Sequence, residues 1–269
     1  MTTDDPESLR ALAVRVASEA AEAAARMRDD AVRRVHTKSS GTDVVTAADT
    51  EVEDLLRRRL ASQRPGDAVL GEECGASISD ASFSGSGGLC WVIDPIDGTV
   101  NYLYGLPWYA VSVAATRGGL SLAGAVVEPA SGRVWSAALG QGAELDGRPL
   151  RVSAADRLDR ALVGTGFSYR AELRARQGEL AAALLPRARD IRRLGSAALD
   201  LCAVAAGWLD GYYEHATHPW DWAAGALIAA EAGAVVRPPG CWPSMMLAAA
   251  PGIADELAAA LTELGADAF

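Results

Sequence analysis

The residues best suited to chemistry lie in residues 91–102, which read Trp-Val-Ile-Asp-Pro-Ile-Asp-Gly-Thr-Val-Asn-Tyr. An apolar run leads into Asp94, a proline forces a turn, and Asp97 follows three residues after the first aspartate. Two carboxylates that leave the end of one buried strand can share a hard cation, which prefers oxygen ligands. Gly98 permits close backbone approach, and Thr99 is predicted to begin a helix whose first N–H groups suit a phosphate. The pattern therefore predicts a site for a divalent cation and a phosphate group.

Further carboxylates stand at predicted strand ends and helix starts. Glu72 and Glu73 lie between glycines after a short apolar run, which indicates a loop at the end of a strand. Asp49 and Asp221 each lie near the start of a predicted helix. Taken singly, the glutamates are explained by solvation and the aspartates by helix capping. If they converge with the aspartates of residues 91–102, their mutual repulsion requires bound cations or shifted pKa values.

Composition narrows the class of protein. The chain has 269 residues, half of them hydrophobic, and a net charge of −10. A dedicated nucleic-acid surface would show clustered Lys and Arg, so no nucleic-acid partner is expected. No apolar run is long enough to span a bilayer, and the acidic N-terminus does not resemble a secretory signal, so no membrane partner is expected. The four cysteines include no Cys-x-x-Cys pair. Buried free thiols in the cytoplasm are the simplest interpretation.

Hydrophobic periodicity predicts the elements that must position these residues. Helices are expected from Pro6 onward and over residues 47–60, 171–185, 196–206, 221–232 and 253–264. Strands are expected over residues 89–93, 109–116, 120–127, 133–139 and 161–163, at Ile191, around residues 212–213 and over 234–236. Asp146 and Gly147 form a hairpin signal.

The order of these elements predicts a mixed α+β and α/β fold. Residues 1–154 are expected to form an N-terminal α+β half with two helices, an antiparallel sheet and the metal-site loops. Residues 155–269 are expected to form a C-terminal α/β half, and the two halves to make one compact unit.

With these motifs in place, the sequence resembles the inositol monophosphatase family, within the wider group of lithium-sensitive, metal-dependent phosphatases. The matching segments, in the order typical of the family, are residues 38–40, 43–49, 71–73, 91–101, 193–198, 212–214, 220–225 and 231–233. The resemblance implies the layered α-β-α-β-α sandwich of that family and a homodimer.

The resemblance also implies roles at single positions. The implied metal ligands are Glu72, Glu73, Asp94, Ile96 through its backbone carbonyl, Asp97 and Asp221. They would hold two to three Mg²⁺ ions, with the third held more weakly. The implied catalytic residues, which would orient a metal-activated water, are Glu72, Thr99 and Asp49, with Asp49 paired to the Thr99 hydroxyl. The implied substrate-binding residues are Gly98, Thr99, Gly195, Ser196, Ala197, Glu214 and Asp221.

The expected reaction is hydrolysis of a small phosphorylated polyol, with myo-inositol monophosphate as the leading substrate. Histidinol phosphate, fructose 1,6-bisphosphate and phosphoadenosine phosphate are alternatives with the same chemistry. Glu214 favours a polyol or an amine over a second phosphate. A regulatory or RNA-associated protein on a retained phosphatase fold is a further alternative. The spacing of His36, His215 and His218 does not suit metal binding, so all three are expected to be structural or exposed.

Overall fold

The computed structural model describes residues 4–31, 35–37, 44–73, 87–240 and 245–268. The first layer consists of helix α1 (Pro6–Ala31) and helix α2 (Ala47–Gln63). Helix α1 begins as predicted, because the Asp5 carboxylate accepts the Ser8 N–H at 3.1 Å and a proline occupies the first turn. A short ribbon of β1 (Val35–Thr37) and β2 (Val44–Thr46) lies between the two helices in the chain and was not predicted.

The second layer is a sheet of seven strands in chain order. Its strands are β3 (Ala68–Gly71), β4 (Leu89–Asp97), β5 (Ala110–Arg117), β6 (Leu120–Val127), β7 (Val134–Ala138), β8 (Ala143–Leu145) and β9 (Arg148–Pro149). Strands β3 and β4 are parallel and every other pair is antiparallel, which confirms the predicted meander. Helix α3 (Thr99–Tyr104) follows β4, as expected from Thr99.

The prediction that β4 ends at its first aspartate is wrong. The strand continues to Asp97, and its register against β5 shifts between Asp94 and Asp97. Pro95 stands inside this irregular stretch, because proline cannot donate to the ladder and is accepted at a bulge. Both aspartates are therefore held by the sheet itself.

The third layer contains helix α5 (Ala197–Ala205) and helix α6 (Pro219–Glu231), which lie between the two sheets. All of α5 and residues 223–229 of α6 are buried. Two glycines allow this close packing. A Cβ on Gly124 of β6 would lie 2.9 Å from the Cα of Ala224, and a Cβ on Gly225 would lie 3.0 Å from the carbonyl oxygen of Ala198. Helix α6 is thus packed directly against both the large sheet and α5.

The fourth layer is a sheet of five strands in the order β11, β10, β12, β14, β13. These strands are β10 (Leu162–Thr165), β11 (Asp190–Arg192), β12 (Gly211–His215), β13 (Val235–Arg237) and β14 (Met245–Ala249). Strand β10 pairs in parallel with β11 and β12, whereas β14 is antiparallel to both of its neighbours. Strand β14 was not predicted, because its short apolar run has no period that separates strand from helix.

The fifth layer is helix α4 (Ala171–Leu184) with helix α7 (Ala254–Glu263). Hydrophobic clusters fill the spaces between the layers. The predicted α-β-α-β-α fold is confirmed. The seven-stranded sheet lies within residues 68–149 and the five-stranded sheet within residues 162–249, while the division into halves at residues 154 and 155 stays a prediction. No helix among the described residues is long and apolar enough to cross a membrane.

The contact between β6 and α6 gives a prediction about stability. Gly124→Ala is expected to lower the free energy of unfolding by about 1–3 kcal/mol, because the new methyl group must displace the α6 backbone. The matched control is Gly66→Ala, where a Cβ would meet nothing within 4 Å, and its effect should be within about 0.5 kcal/mol. Urea unfolding of both variants measures this, and equal effects would contradict the packing described.

Candidate active site

The irregular end of β4 brings four predicted residues into one hydrogen-bonded unit. Asp94 is buried, and its Oδ1 accepts the N–H of Ile96 at 3.0 Å. The Thr99 hydroxyl lies 3.1 Å from the carbonyl oxygen of Ile96 and 3.1 Å from Oδ1 of Asp49, which is buried in the first turn of α2. The predicted pairing of Asp49 with Thr99 is therefore present in the structure.

Asp97 faces the start of helix α5. Its carboxylate accepts the Ser196 hydroxyl at 2.5 Å, the Ala198 N–H at 2.7 Å and the Ala197 N–H at 3.3 Å. Ser196 also caps α5, because its oxygen accepts the Leu199 N–H at 3.3 Å. A carboxylate at a helix N-terminus is stabilised by the unpaired N–H groups and the helix dipole. Asp97 therefore joins the large sheet to α5.

Two glycines let α3 approach the segment before α5. Gly98 has φ 95° and Gly195 has φ 100°, both in the left-handed region that favours glycine. A Cβ on Gly98 would lie 3.1 Å from the carbonyl oxygen of Gly195. The buried Asn101 side chain donates to the carbonyl oxygens of Trp108 at 2.7 Å and Leu194 at 2.8 Å. The predicted phosphate side and alcohol side of the site are thus directly connected.

Asp221 lies in the first turn of α6, and its carboxylate accepts the His218 N–H at 2.6 Å. The capping role considered for this residue is therefore real. Its carboxyl group also lies close enough to Glu72 and Asp97 for their charges to raise its pKa. Capping and membership of the carboxylate cluster are compatible at this position.

The two adjacent glutamates differ in their placement. Glu72 follows β3 and lines the main cavity. Glu73 is half-buried, is not one of the described residues that line this cavity, and donates its backbone N–H to Oε2 of Glu53 at 2.7 Å. The structure thus brings Glu72, but not the Glu73 side chain, to the cavity wall.

Glu214 of β12 also lines the cavity. The Tyr212 hydroxyl donates to its Oε2 at 2.6 Å, and its carboxylate lies against Gly166, where a Cβ would overlap it. Burial raises the pKa of Glu214, while the Tyr212 hydrogen bond and the positive charge of Arg193 act in the other direction. The side chain is therefore held in place and remains able to accept hydroxyl hydrogen bonds.

The main cavity has a volume of about 540 Å³. The predicted residues that line it are Glu72, Asp97, Gly98, Gly195, Ala197, Glu214 and Asp221. Asp49, Asp94, Thr99 and Ser196 are buried and are not among its described lining residues. Ser196 contacts Asp97 of the wall, whereas Asp94 contacts Ile96, and Asp49 contacts Thr99. The loop after β10 and the start of α4 also line the cavity, with Arg170 among their residues, and Arg193 lines it from the segment after β11.

Electrostatics show that the carboxylates form one cluster. Burial is the largest cause that raises the pKa of Asp94, and the charges of Glu72, Asp97, Asp221 and Asp49 raise it further. Burial raises the pKa of Asp97 to about 7, although its hydrogen bonds with Ser196 and Ala198 act to lower it. Ionised together, these groups repel one another, and a cation between them would remove that repulsion.

The donor set fits a hard divalent cation in its chemistry, because every predicted donor is an oxygen. Within the described part of the chain, no three acidic, histidine or cysteine side chains are already arranged in ligating geometry. The carboxylates of Asp97 and Asp221 point instead toward N–H groups at the starts of α5 and α6. A cation would therefore use their remaining lone pairs or turn the side chains.

Several contributors were not predicted as site residues. Asn101 and Glu53 hold backbone segments of the site, and Arg193 lies near Glu214. Asp200 is buried near Asp97 and Glu214, and burial together with their charges raises its pKa well above the usual range. A sequence signal existed for Glu53, because it follows the apolar Val52 and lies three residues before Leu56, on a face of α2 that is buried.

The described histidines and cysteines have structural surroundings, as expected. His215 is buried, and its Nε2 lies 3.1 Å from the carbonyl oxygen of Ala266. His218 stacks on Trp220 with ring centroids 4.8 Å apart. Cys90 and Cys202 are free and buried. The predictions for Cys74, Cys241, the His36 side chain and residues 38–43 lie outside the described residues and side chains.

The layered fold, and a cavity that joins clustered carboxylates to a helix start, indicate a metal-assisted phosphatase. A family model described as the inositol monophosphatase family matches residues 5–266, so the chain belongs to that family of phosphatases. This confirms the resemblance stated from the motifs. Members of the family generally depend on a metal ion.

Individual relatives agree with this assignment. A Mycobacterium leprae protein named inositol-1-monophosphatase is 53% identical over 279 residues, covering 96% of this chain and 94% of its own. The solved structure of Mycobacterium tuberculosis SuhB matches with a TM-score of 0.83 and 47% identity, covering 98% of this chain and 99% of that one. A Vibrio cholerae protein named Nus factor SuhB is 35% identical over 226 residues, covering 84% of this chain and 83% of its own.

The Ser196 contacts give a prediction about the link between α5 and Asp97. Ser196→Ala is expected to lower the free energy of unfolding by about 1–3 kcal/mol, because it removes a helix cap and a hydrogen bond to a buried carboxyl. Ser62→Ala, the same change at an exposed position of α2, should have an effect within about 0.5 kcal/mol. Urea unfolding of both variants tests this, and an unaffected Ser196→Ala would contradict the assigned role.

Proposed function

We propose that this protein is a Mg²⁺-dependent phosphomonoesterase that hydrolyses myo-inositol monophosphate to inositol and phosphate. The observation that carries the proposal is the convergence of Glu72, Asp97, Asp221 and Glu214 on one cavity. These four carboxylates come from the turn after β3 and from β4, α6 and β12, so their meeting is a property of the whole fold. The similarity to the Mycobacterium leprae protein named inositol-1-monophosphatase supports the choice of substrate.

The cation would be held by Glu72, Asp94, Asp97, Asp221 and the carbonyl oxygen of Ile96, with Glu73 nearby. Bound Mg²⁺, in two or three copies, would neutralise the phosphate dianion, lower the pKa of water and stabilise the leaving alkoxide. The negative charge of the carboxylates would attract the cation. Because the fold already holds these side chains in place, they would need little reorganisation during the reaction.

The phosphate would lie against the start of α3, where the N–H groups of Gly98 and Thr99 would donate to its oxygens. The attacking water would be oriented by Thr99 and Glu72. When the Thr99 hydroxyl donates to Asp49, its own lone pairs remain free to accept a hydrogen bond from that water. Asp49 would therefore act by fixing the direction in which Thr99 accepts.

The alcohol portion would lie between Gly195, Ala197 and Glu214. The Glu214 carboxylate accepts hydrogen bonds from sugar hydroxyls, and it would repel a second phosphate. This favours inositol monophosphate over fructose 1,6-bisphosphate or phosphoadenosine phosphate. Histidinol phosphate stays open, because its amine would also pair with a carboxylate.

The first test removes one charge from the cavity. Asp97→Asn is expected to lower kcat for phosphate release from myo-inositol 1-phosphate by at least about 100-fold, the usual scale for losing one stabilising group. Asp159→Asn is the matched control, because Asp159 is exposed and paired only with Arg157 in the described contacts, and its kcat should be unchanged. Omission of Mg²⁺ should abolish release by the wild type. Release that survives in Asp97→Asn, or without any divalent cation, would contradict the proposal.

A second test addresses the substrate. Wild type should have a higher kcat/KM for myo-inositol 1-phosphate than for histidinol phosphate or fructose 1,6-bisphosphate. Glu214→Gln should raise KM for the inositol ester about 5- to 30-fold, as expected for a lost charged hydrogen bond. The ratio of kcat/KM for the inositol ester to kcat/KM for fructose 1,6-bisphosphate should fall. If kcat/KM is higher for histidinol phosphate, the proposed hydrolysis stands but the proposed substrate is wrong.

A second candidate function is regulation through a protein partner, and the similarity to the Vibrio cholerae Nus factor SuhB favours keeping it. Recovery of a stoichiometric partner by protein that releases no phosphate from any tested ester would support it. The carboxylate cluster, Thr99 and Glu214 are all present, which supports catalysis instead.

We also propose that the protein acts in the cytoplasm as a homodimer and that lithium inhibits it. The buried free thiols of Cys90 and Cys202 support a reducing compartment. Light scattering on the purified chain would measure its mass, and turnover in high lithium would measure the inhibition.

A further inference from the structure

One buried carboxylate close to the cavity has no role in the proposed reaction. Glu53 lies on α2, one turn after Asp49, and its side chain is wholly buried. A buried charge is costly unless it is paired and hydrogen-bonded. The contacts of the Glu53 carboxylate should therefore include a positive charge and hydrogen-bond donors.

The two carboxylate oxygens of Glu53 have different hydrogen-bond partners. Oε1 accepts from Nε and from Nη2 of Arg57, both at 2.8 Å, which neutralises the charge. Oε2 accepts the backbone N–H of Glu73 at 2.7 Å. Arg57 also reaches the carbonyl oxygen of Val69 on β3 through its Nη1 at 3.3 Å. The ion pair thus connects α2 to β3 and to the turn that follows β3.

The chain provides space for this contact at Gly71. A Cβ on Gly71 would lie 2.6 Å from the carboxyl carbon and Oε1 of Glu53, so no side chain fits there without moving the acid. Gly71 and Glu73 flank Glu72, and Glu53 contacts both flanks. The carboxylate therefore fixes the backbone on each side of Glu72, which lines the cavity.

We infer that Glu53 is a positioning residue that holds the Glu72 carboxylate at the cavity wall for cation binding. The inference rests on the proposed function, because it assigns Glu72 to the cation. Helix α2 then orients two parts of the site from a single face, since Asp49 contacts Thr99 and Glu53, four residues later, contacts the Glu73 backbone. Groups that orient metal ligands typically change metal affinity by about 10- to 100-fold when they are removed.

The test uses Glu53→Gln, which keeps the shape and removes the charge. Mn²⁺ binding by the purified full chain is measured by electron paramagnetic resonance, without substrate. The expected result is a Kd for Mn²⁺ raised about 10-fold or more, with kcat at saturating Mg²⁺ reduced by less than about 3-fold. The Mg²⁺ concentration for half-maximal activity should rise in parallel with the Mn²⁺ Kd.

The matched control is Glu51→Gln, the same change at an exposed position of the same helix, and its Kd for Mn²⁺ should be unchanged. Gly71→Ala is the second variant, because it keeps both charges and displaces the Glu53 carboxylate by sterics alone. It should raise the Kd in the same direction, and it keeps the inference testable where Glu53→Gln does not fold.

The outcomes separate the two proposals. A lower Tm in both variants with a Kd for Mn²⁺ within 2-fold of wild type would overturn the positioning role and leave Glu53 purely structural. Wild type that binds no Mn²⁺ and releases no phosphate would overturn the proposed function instead. A raised Kd for Mn²⁺, together with a kcat that saturating Mg²⁺ restores, supports both the positioning role and the proposed function.

Discussion

The constraint on which the site depends is the mutual repulsion of carboxylates in a poorly solvated space. Asp94, Asp97 and Asp221 each have a raised pKa because burial and neighbouring negative charge both disfavour ionisation. The chain counters this with N–H groups at helix starts, which face the Asp97 carboxylate from α5 and the Asp221 carboxylate from α6. These donors hold the acids in position and leave the cluster short of positive charge. Under the proposed function, that deficit would favour binding of a divalent cation.

The packing of the layers holds these acids in place. Helices α5 and α6 are buried between two sheets, so their N-termini cannot move independently of the strands that carry Asp97 and Glu214. The absence of a side chain at Gly124 and Gly225 lets α6 approach both of its neighbours closely. Because interiors are close-packed, a shift of α6 would move Asp221 relative to Asp97. The geometry of the site is therefore set by core packing as much as by its own hydrogen bonds.

The sequence predicted most of this arrangement, and the parts it missed have physical reasons. Residues 91–102 carry a dense local pattern, so two of the acids and the helix start could be foreseen, whereas the Asp49–Thr99 pair followed only from the family resemblance. Strand β14 could not, because a short apolar run has no distinguishing period. The continuation of β4 past Asp94 depends on a bulge, which the sequence at Pro95 marks only as a turn. The helical face of α2 contained Glu53, but its partner, the Glu73 backbone, is a contact between elements that no local pattern encodes.

Residues that are far apart in the chain are hydrogen-bonded to each other at the site. Asp97 belongs to the seven-stranded sheet, yet three of its hydrogen bonds come from the start of α5. Asn101 makes a second connection of the same kind through the carbonyl oxygen of Leu194. The end of the large sheet and the segment at the start of α5 thus supply hydrogen-bond partners to each other. A phosphate held at α3 and an alcohol held by Glu214 would then occupy fixed relative positions without a moving part, which is how alignment of the reacting atoms lowers a barrier.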